Sequence, residues 1–365
     1  MKSRNIRFLA AFWSLVLTSS SLCGAALDNW HVRYSGPGNF SDVIYANGLF
    51  VAVRLYDPVM TSPDGIAWTP RPSGLASFAS GIAYGAGRFV IVGADGATLT
   101  STDGLNWSAI SSGTSNDLLD VTFASNQFVA VGDKDILNSA DGLTWRRVNS
   151  TGGSQIEYGD GRYYVIGPFQ TNLTSTDGIS WTSVASPARD NEYTVGFGNG
   201  TWVMIDIWQD VLISRDAVNW AERGTVDILR PADIDYGYGI FVMVGGNSTI
   251  LSSRNGLIWT ERRRQVNSAP LMAITSGLHT FVTVGYQTIL QSDPIVNIHV
   301  RRGRTRELEI SGLIGHTCRI ECSDNGISDW REIGRVLLVS DPQLWTDSEP
   351  SSTGSRFYRA ILTDP

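Results

Sequence analysis

The chain has 365 residues, long enough to bury a large core and to form two or three domains, and its formal net charge of −7 gives no general attraction to nucleic-acid phosphates. Apolar residues make up 42% and charged ones only 17%, with 38 Gly and 12 Trp. That balance argues against long surface helices and for an all-β protein of short strands and tight turns.

In chain order, the first segment reads as an export leader. Lys2, Arg4 and Arg7 form a basic start, Phe8 to Leu17 an apolar run, and Gly24-Ala25-Ala26 a small-residue cleavage site. Residues 1–26 are therefore expected to be a signal peptide, with the mature protein starting near Leu27 and residing outside the cell or in its envelope. Lipid attachment at Cys23 is disfavoured, because the preceding Leu22 is not small. No later apolar run approaches the ~20 residues that span a bilayer, so no transmembrane segment is expected after cleavage.

Residues 27–295 carry a repeat. Trp68, Trp107, Trp145, Trp181, Trp220 and Trp259 are spaced by 39, 38, 36, 39 and 39 residues, a period that signals an array or a propeller. Each closes a box of the form Ser-x-Asp-Gly-x-x-Trp. Four copies are complete: Ser62, Asp64 and Trp68; Ser101, Asp103 and Trp107; Ser139, Asp141 and Trp145; Ser175, Asp177 and Trp181. Two later copies drift, to Asp216-Ala217 and Asn255-Gly256. Upstream of each box an apolar pair, a Gly/Asn turn and an aromatic with alternating apolars recur, as in Ile82-Ala83-Tyr84-Gly85 through Phe89-Val90-Ile91-Val92. Asn47-Gly48, Asp160-Gly161 and Asn199-Gly200 predict type I′ hairpin turns, whose central residues need positive φ. Adding the strand before the box and the one starting at its Trp gives four antiparallel strands per repeat, which is a propeller blade.

Seven hairpin units start at Val43, Ile82, Val121, Ile156, Val195, Ile234 and Ile274. The last breaks off at Ser292-Asp293-Pro294 without a Trp, while Trp30 lies 38 residues before Trp68 in a stretch resembling the fourth strand of other units. The sequence thus predicts a seven-bladed β-propeller closed by its N-terminal strand, an arrangement that protects both end blades.

Within the box, the Asp carboxylate can accept backbone N–H groups of its own turn, Gly supplies the positive φ, and Trp buries a large ring. The box residues are accordingly read as structural. In these boxes the chain resembles the Asp-box (BNR-repeat) propellers, the superfamily that includes sialidases and Ycf48-like assembly factors, over residues 27 to 295. It departs from the sialidase form in having one residue fewer between Asp and Gly. The resemblance to sialidases would imply an Arg-Ile-Pro signature early in the propeller, yet Arg33 precedes Tyr34-Ser35 and the Arg-Pro pairs are Arg71-Pro72 and Arg230-Pro231. Glu157, Glu192, Glu222 and Glu261 form no recognisable acid/base pair in the sequence. The four histidines are scattered, so no metal site and no cofactor are expected.

Residues 296–365 lack the box and read as about five strands at 8 to 14 residue spacing, a small β-sandwich. This segment is similar to the short C-terminal β modules of large secreted bacterial proteins. Its Cys318 and Cys322 lie four apart on one predicted strand, ~13 Å by strand rise, too far to form a disulfide.

Propeller topology sends the loops between second and third strands, and those between blades, to the end opposite the boxes. There the sequence places Tyr56, Asp57, Asp95, Asp133, Lys134, Phe169, Gln170, Trp208, Gln209, Asp210, Arg230, Asp233, Tyr286 and Gln287. Aromatics mixed with carboxylates and amides suit the recognition of a sugar or a peptide. The leading reading is a secreted, monomeric, non-catalytic binding or scaffolding propeller that engages a glycan or protein, and not nucleic acid, at the mouth of its ring. A divergent carbohydrate-active hydrolase and an assembly factor for an envelope complex are the alternatives.

Overall fold

The computed structural model describes residues 26–75, 77–167, 171–188, 193–301, 306–312, 314–323, 329–348 and 356–363. The leader up to residue 25, and Phe169, Gln170 and Glu192, lie outside them. The described residues fall into two compact units that meet in sequence at Ile295 and Val296.

The larger unit is an assembly of antiparallel sheets. It opens with β1 (Trp30–Ala46), β2 (Leu49–Arg54), β3 (Val59–Ser62) and β4 (Thr69–Arg71). Four-stranded sheets follow in order: β5 to β8 (Ala79–Gly85, Arg88–Gly93, Ala97–Ser101, Ser108–Ser111) and β9 to β12 (Leu118–Ala124, Gln127–Gly132, Ile136–Ser139, Arg146–Asn149). Next come β13 to β16 (Gln155–Gly159, Arg162–Ile166, Thr171–Ser175, Thr182–Ala185) and β17 to β20 (Tyr193–Gly198, Thr201–Asp206, Asp210–Ser214, Trp220–Thr225). The series ends with β21 to β24 (Pro231–Gly237, Ile240–Gly245, Ile250–Ser253, Thr260–Arg263), β25 (Leu271–Gly277) and β26 (Thr280–Ser292).

The first and last strands share a six-stranded sheet, in the order β25-β26-β1-β2-β3-β4. Long β1 serves two partners: Trp30 to Asn39 pair with β26, and Phe40 to Ala46 with β2, with register shifts where the chain passes from one to the other. Ser292 at the end of β26 lies opposite Trp30. The N-terminal strand therefore completes the last sheet of the unit, as the Trp spacing predicts.

Local chemistry explains the layering. Second strands such as Phe89 to Val92 are continuous apolar runs, fully buried because both faces pack on other sheets. The predicted turns adopt the left-handed conformation, with φ of 51° and 74° at Asn47-Gly48 and 48° and 72° at Asp160-Gly161. First strands pack side by side in a circle, β1 through β5, β9, β13, β17 and β21 to β25, which again touches β1. This approach is close because several end in Gly: a Cβ on Gly159 would lie 2.1 Å from the Phe197 ring, and one on Gly277 2.3 Å from the Tyr45 ring. From each inner aromatic a stack runs outward, for example Tyr84 to Phe89 at 4.6 Å and Phe89 to Trp107 at 6.3 Å between centroids.

Each box is a hydrogen-bonded knot. In the second copy Ser101 Oγ donates to Asp103 Oδ1 at 2.9 Å and accepts from Gly104 N at 2.8 Å, while the amides of Leu105 and Asn106 donate to Asp103 Oδ1 at 2.8 Å each. The same geometry recurs at Asp64, Asp141, Asp177 and Asp216. These amides hold the Asp103, Asp177 and Asp216 carboxyls well below the usual carboxylate range. Because the carboxylate acts like a helix cap, Asp103→Ala is expected to cost ~1 kcal/mol in chemical denaturation, whereas no measurable loss would refute a structural role.

The smaller unit contains β27 (Asn297–Val300), β28 (Arg306–Ser311), β29 (Thr317–Ser323), β30 (Arg331–Leu337), β31 (Gln343–Asp347) and β32 (Phe357–Leu362). They form two three-stranded sheets, β27-β28-β31 and β30-β29-β32, over a core that includes Leu308, Ile310, Ile320 and Tyr358. Cys318 and Cys322 are buried in that core and form no disulfide with each other. Asp347 accepts from Arg356 Nη1 at 2.8 Å and from the Tyr358 hydroxyl at 2.7 Å, which satisfies a buried carboxylate.

Candidate functional site: an aromatic rim above an acidic lumen

The turns between second and third strands are tied to the connections that enter the inner strands, so both sit at one end of the unit. Leu55 N donates to Asn39 O, Ala94 N to Phe78 O, Asp133 N to Asp117 O, Gly246 N to Leu229 O and Tyr286 N to Pro270 O, at 2.7 to 3.2 Å. The sequence-predicted mouth residues in the described segments lie on these turns and connections, or within a few residues of them, and they differ in what they do.

Trp208 caps the β18–β19 turn with 60% of its surface exposed. The turn is braced from inside: Gln209 N donates to Asp206 O, Asp210 N to the Asp206 carboxylate, both at 2.9 Å, and Val226 N to Gln209 O. Asp210 is thereby a correction to the sequence reading, for it is 6% exposed and supports the turn rather than facing solvent. Asp57 is likewise committed, its carboxylate accepting both the amide and the hydroxyl of Ser73 at 2.6 Å.

Tyr56 is 63% exposed, and its ring packs at 4.7 Å on Phe78, a 43% exposed residue from the β4–β5 connection. Phe78 escaped the sequence reading because no repeat position calls for an aromatic there. Tyr286, 41% exposed, sits where β26 bends, beside Gln287 at φ 61°. Asp133, Lys134 and Arg230 are exposed, and neighbouring Leu229 is half exposed. Trp208 and Tyr286 make no ring contact with each other among the described residues.

Asp233 is a second correction: it belongs to inner strand β21 and points to a set of carboxylates inside the circle. Its Oδ1 accepts from Ile234 N and its Oδ2 from Ile274 N of the next inner strand, both at 2.8 Å. Asp42 clamps Val43 and Ile82 in the same way, and Asp120 clamps Val121 and Ile156. Gln155 takes the equivalent role toward Val195. Two residues deeper on their strands lie Glu157 and Asp235, ~7 Å further from the mouth by strand rise.

The electrostatics follow from enclosure. Burial pushes the Asp120 and Asp233 carboxyls up to about 7 against the pull of their amide donors, and Asp235 adds to the rise at Asp233. Burial, with the neighbouring charges of Asp120 and Asp233, also raises Asp42 and Glu157 well above the usual range, and burial raises Asp235. No Lys, Arg or His occurs in inner strands β5, β9, β13, β17, β21 and β25 or in the Phe40 to Ala46 part of β1. The charged side chains of these described strands are thus all acidic. The sequence carried a signal for this in the residue preceding each hairpin unit, namely Asp42, Gly81, Asp120, Gln155, Thr194, Asp233 and Ala273. Among the described residues no three His, Cys, Asp or Glu side chains converge as a metal site requires.

No family model matches the sequence, and no curated protein does. Solved structures match over 72–73% of the chain. A Ycf48 bound to D1 peptide is 17% identical with a TM-score of 0.63, covering 73% of this chain and 97% of that one. Ycf48 from Cyanidioschyzon merolae is also 17% identical, with a TM-score of 0.59 and coverage of 72% and 98%. Virginiamycin B lyase from Staphylococcus aureus is 13% identical, with a TM-score of 0.64 and coverage of 73% and 100%. The chain is a β-propeller like these proteins, with small additional sheets at its C-terminus.

Proposed function

We propose that the protein is an exported, non-catalytic binding propeller of the Asp-box type whose rim and lumen take a protein segment carrying a basic side chain. Counting the six-stranded sheet as two blades that share β1 gives a ring of seven, sealed by the N-terminal strand. The observation that carries the functional reading is the set of exposed aromatics, Trp208, Tyr56 with Phe78, and Tyr286, standing on braced turns at the entrance to a lumen whose described inner strands bear only acidic charges. Rigidly held aromatics offer large contact area at low entropic cost, and carboxylates beneath them complement a lysine or arginine. That a Ycf48 of the same fold is recorded with a D1 peptide adds support for a peptide at the level of fold.

The lumen carboxylates with raised proton affinity are the natural candidates for a hydrolase acid and base. In Asp42, Asp120 and Asp233, however, one oxygen accepts an amide of its own strand and the other an amide of the neighbouring inner strand, which holds the carboxylates fixed and favours a binding role. A displayed library of short peptides tests the reading. Retained peptides should be enriched in Lys or Arg next to an apolar residue, and Trp208→Ala should weaken them at least ~5-fold, about 1 kcal/mol, with unchanged Tm. Equal retention by Trp208→Ala and Tyr56→Ala would refute the placement, as would retention of glycans alone on an array.

A further inference from the structure

We infer that the sixth box has been converted from a structural knot into a small oxyanion site. The other five boxes carry a carboxylate at this position, Asp64, Asp103, Asp141, Asp177 and Asp216, whereas the sixth has Asn255. Asn255 preserves the knot: its Oδ1 accepts from Leu257 N at 2.9 Å, from Ile258 N at 3.1 Å and from Ser253 Oγ at 3.2 Å. Because the oxygen is fixed by these donors, the other terminal atom must be the Nδ2 amine. At Asp103 and Asp216 the corresponding Oδ2 is an acceptor, filled by Asn106 and Asn219 at 2.8 Å. The substitution therefore removes a negative charge and turns an acceptor into a donor at one place.

That place borders a cavity of about 230 Å³ lined by Ser252, Ser253, Arg254, Asn255, Thr260 and Arg262, with Ile240 and Ile258 as its apolar wall. Arg262 is oriented by Nε donation to Ser252 Oγ at 2.7 Å and by an ion pair from Nη1 to Asp28 at 2.7 Å, so its guanidinium is preorganised rather than mobile. The lining residues carry two guanidinium groups, the Asn255 amide and the hydroxyls of Ser252 and Thr260, and none of the described lining residues bears a carboxylate. This donor set matches a sulfate, phosphate or carboxylate group, which accepts hydrogen bonds at each oxygen. The volume falls below the ~300 Å³ at which pockets for drug-sized molecules begin, so the ligand is the oxyanion group itself or one borne on a single small residue. The site lies in the box turn, at the end of the propeller opposite the aromatic rim, and its test is independent of the rim.

The test is titration of the full-length protein with inorganic sulfate and with inorganic phosphate, followed by amide chemical shifts and calorimetry. Saturable binding centred on Ser253 to Ile258 is expected. Asn255→Asp restores the carboxylate of the other boxes and should leave Tm unchanged or higher while weakening binding at least tenfold, and Arg254→Ala should weaken it similarly. A sugar sulfate that binds more tightly than inorganic sulfate would assign the group to a glycan, and equal affinity to a free ion. Absence of saturable shifts at the sixth box, or an Asn255→Asp variant that binds sulfate as the parent does, would overturn the proposal.

Discussion

Deleting Leu27 to Arg33 from the mature protein is expected to lower the Tm of the propeller by more than ~10 °C, or to prevent folding. Leu27 is fully buried and Trp30 nearly so, in one cluster with Ile240, Phe281, Leu290 and Ile295. Trp30 Nε1 donates to Leu27 O at 2.8 Å, which fixes the two side chains together. Polar ties follow along the strand: Asn29 and His31 to Asp293, at 2.8 and 2.6 Å, and Arg33 to Gln291 at 2.9 Å. Losing one large buried side chain costs ~2 to 5 kcal/mol, and here two are lost along with the pairing of β26 from Leu290 to Ser292. The deletion therefore removes ~5 kcal/mol or more, and each kcal/mol is worth ~2 to 4 °C in a domain of this size. Scanning calorimetry decides the matter. A truncated protein that melts within ~2 °C of the parent would contradict closure by this strand.

Acidification from pH 8 to pH 5 is expected to stabilise the propeller, raising its Tm by ~5 °C, on the order of 2 kcal/mol. Burial pushes Asp120 and Asp233 up to about 7 in the folded chain from the ordinary aspartate value of 3.8. Between those values the native state holds more protons than the unfolded one. Stability therefore falls as pH rises through that window and levels off above it. The box aspartates have the opposite sign: their folded values are depressed, so their contribution is present above 3.8 and is lost only as pH falls below it. The two sets together place the stability maximum on the acidic side of neutrality. Asp233→Asn should flatten the slope between pH 5 and 8, at the cost of one acceptor for a backbone amide. A Tm that stays level or rises from pH 5 to pH 8 would refute enclosure of the lumen carboxylates.

The parts of this architecture that repeat were legible in the sequence. Trp spacing located the boxes, and Asn-Gly and Asp-Gly pairs located turns whose φ values are positive as the chemistry requires. The offset of Trp30 pointed to the strand that pairs with β26. Features that depend on which repeats face each other were not legible. The aspartates at 42, 120 and 233 stand about two repeats or more apart in the chain, and only curvature of the sheet array brings their fields together. Asp210 and Trp208 are neighbours in sequence, yet one is buried and the other exposed, because the turn folds around the Asp206 carboxylate. Phe78 acquires meaning only from its contact with Tyr56 across a connection.

Hydrogen–deuterium exchange with and without a Lys- or Arg-bearing peptide retained from the displayed library tests the central reading most directly. The turns at 55–58, 206–210 and 285–287, with the connection at 77–78, should gain protection, while the box turns at 64–67, 103–106 and 141–144 should exchange as in the free protein. Protection confined to the box turns, or absent from the rim at saturating peptide, would contradict binding at the aromatic rim.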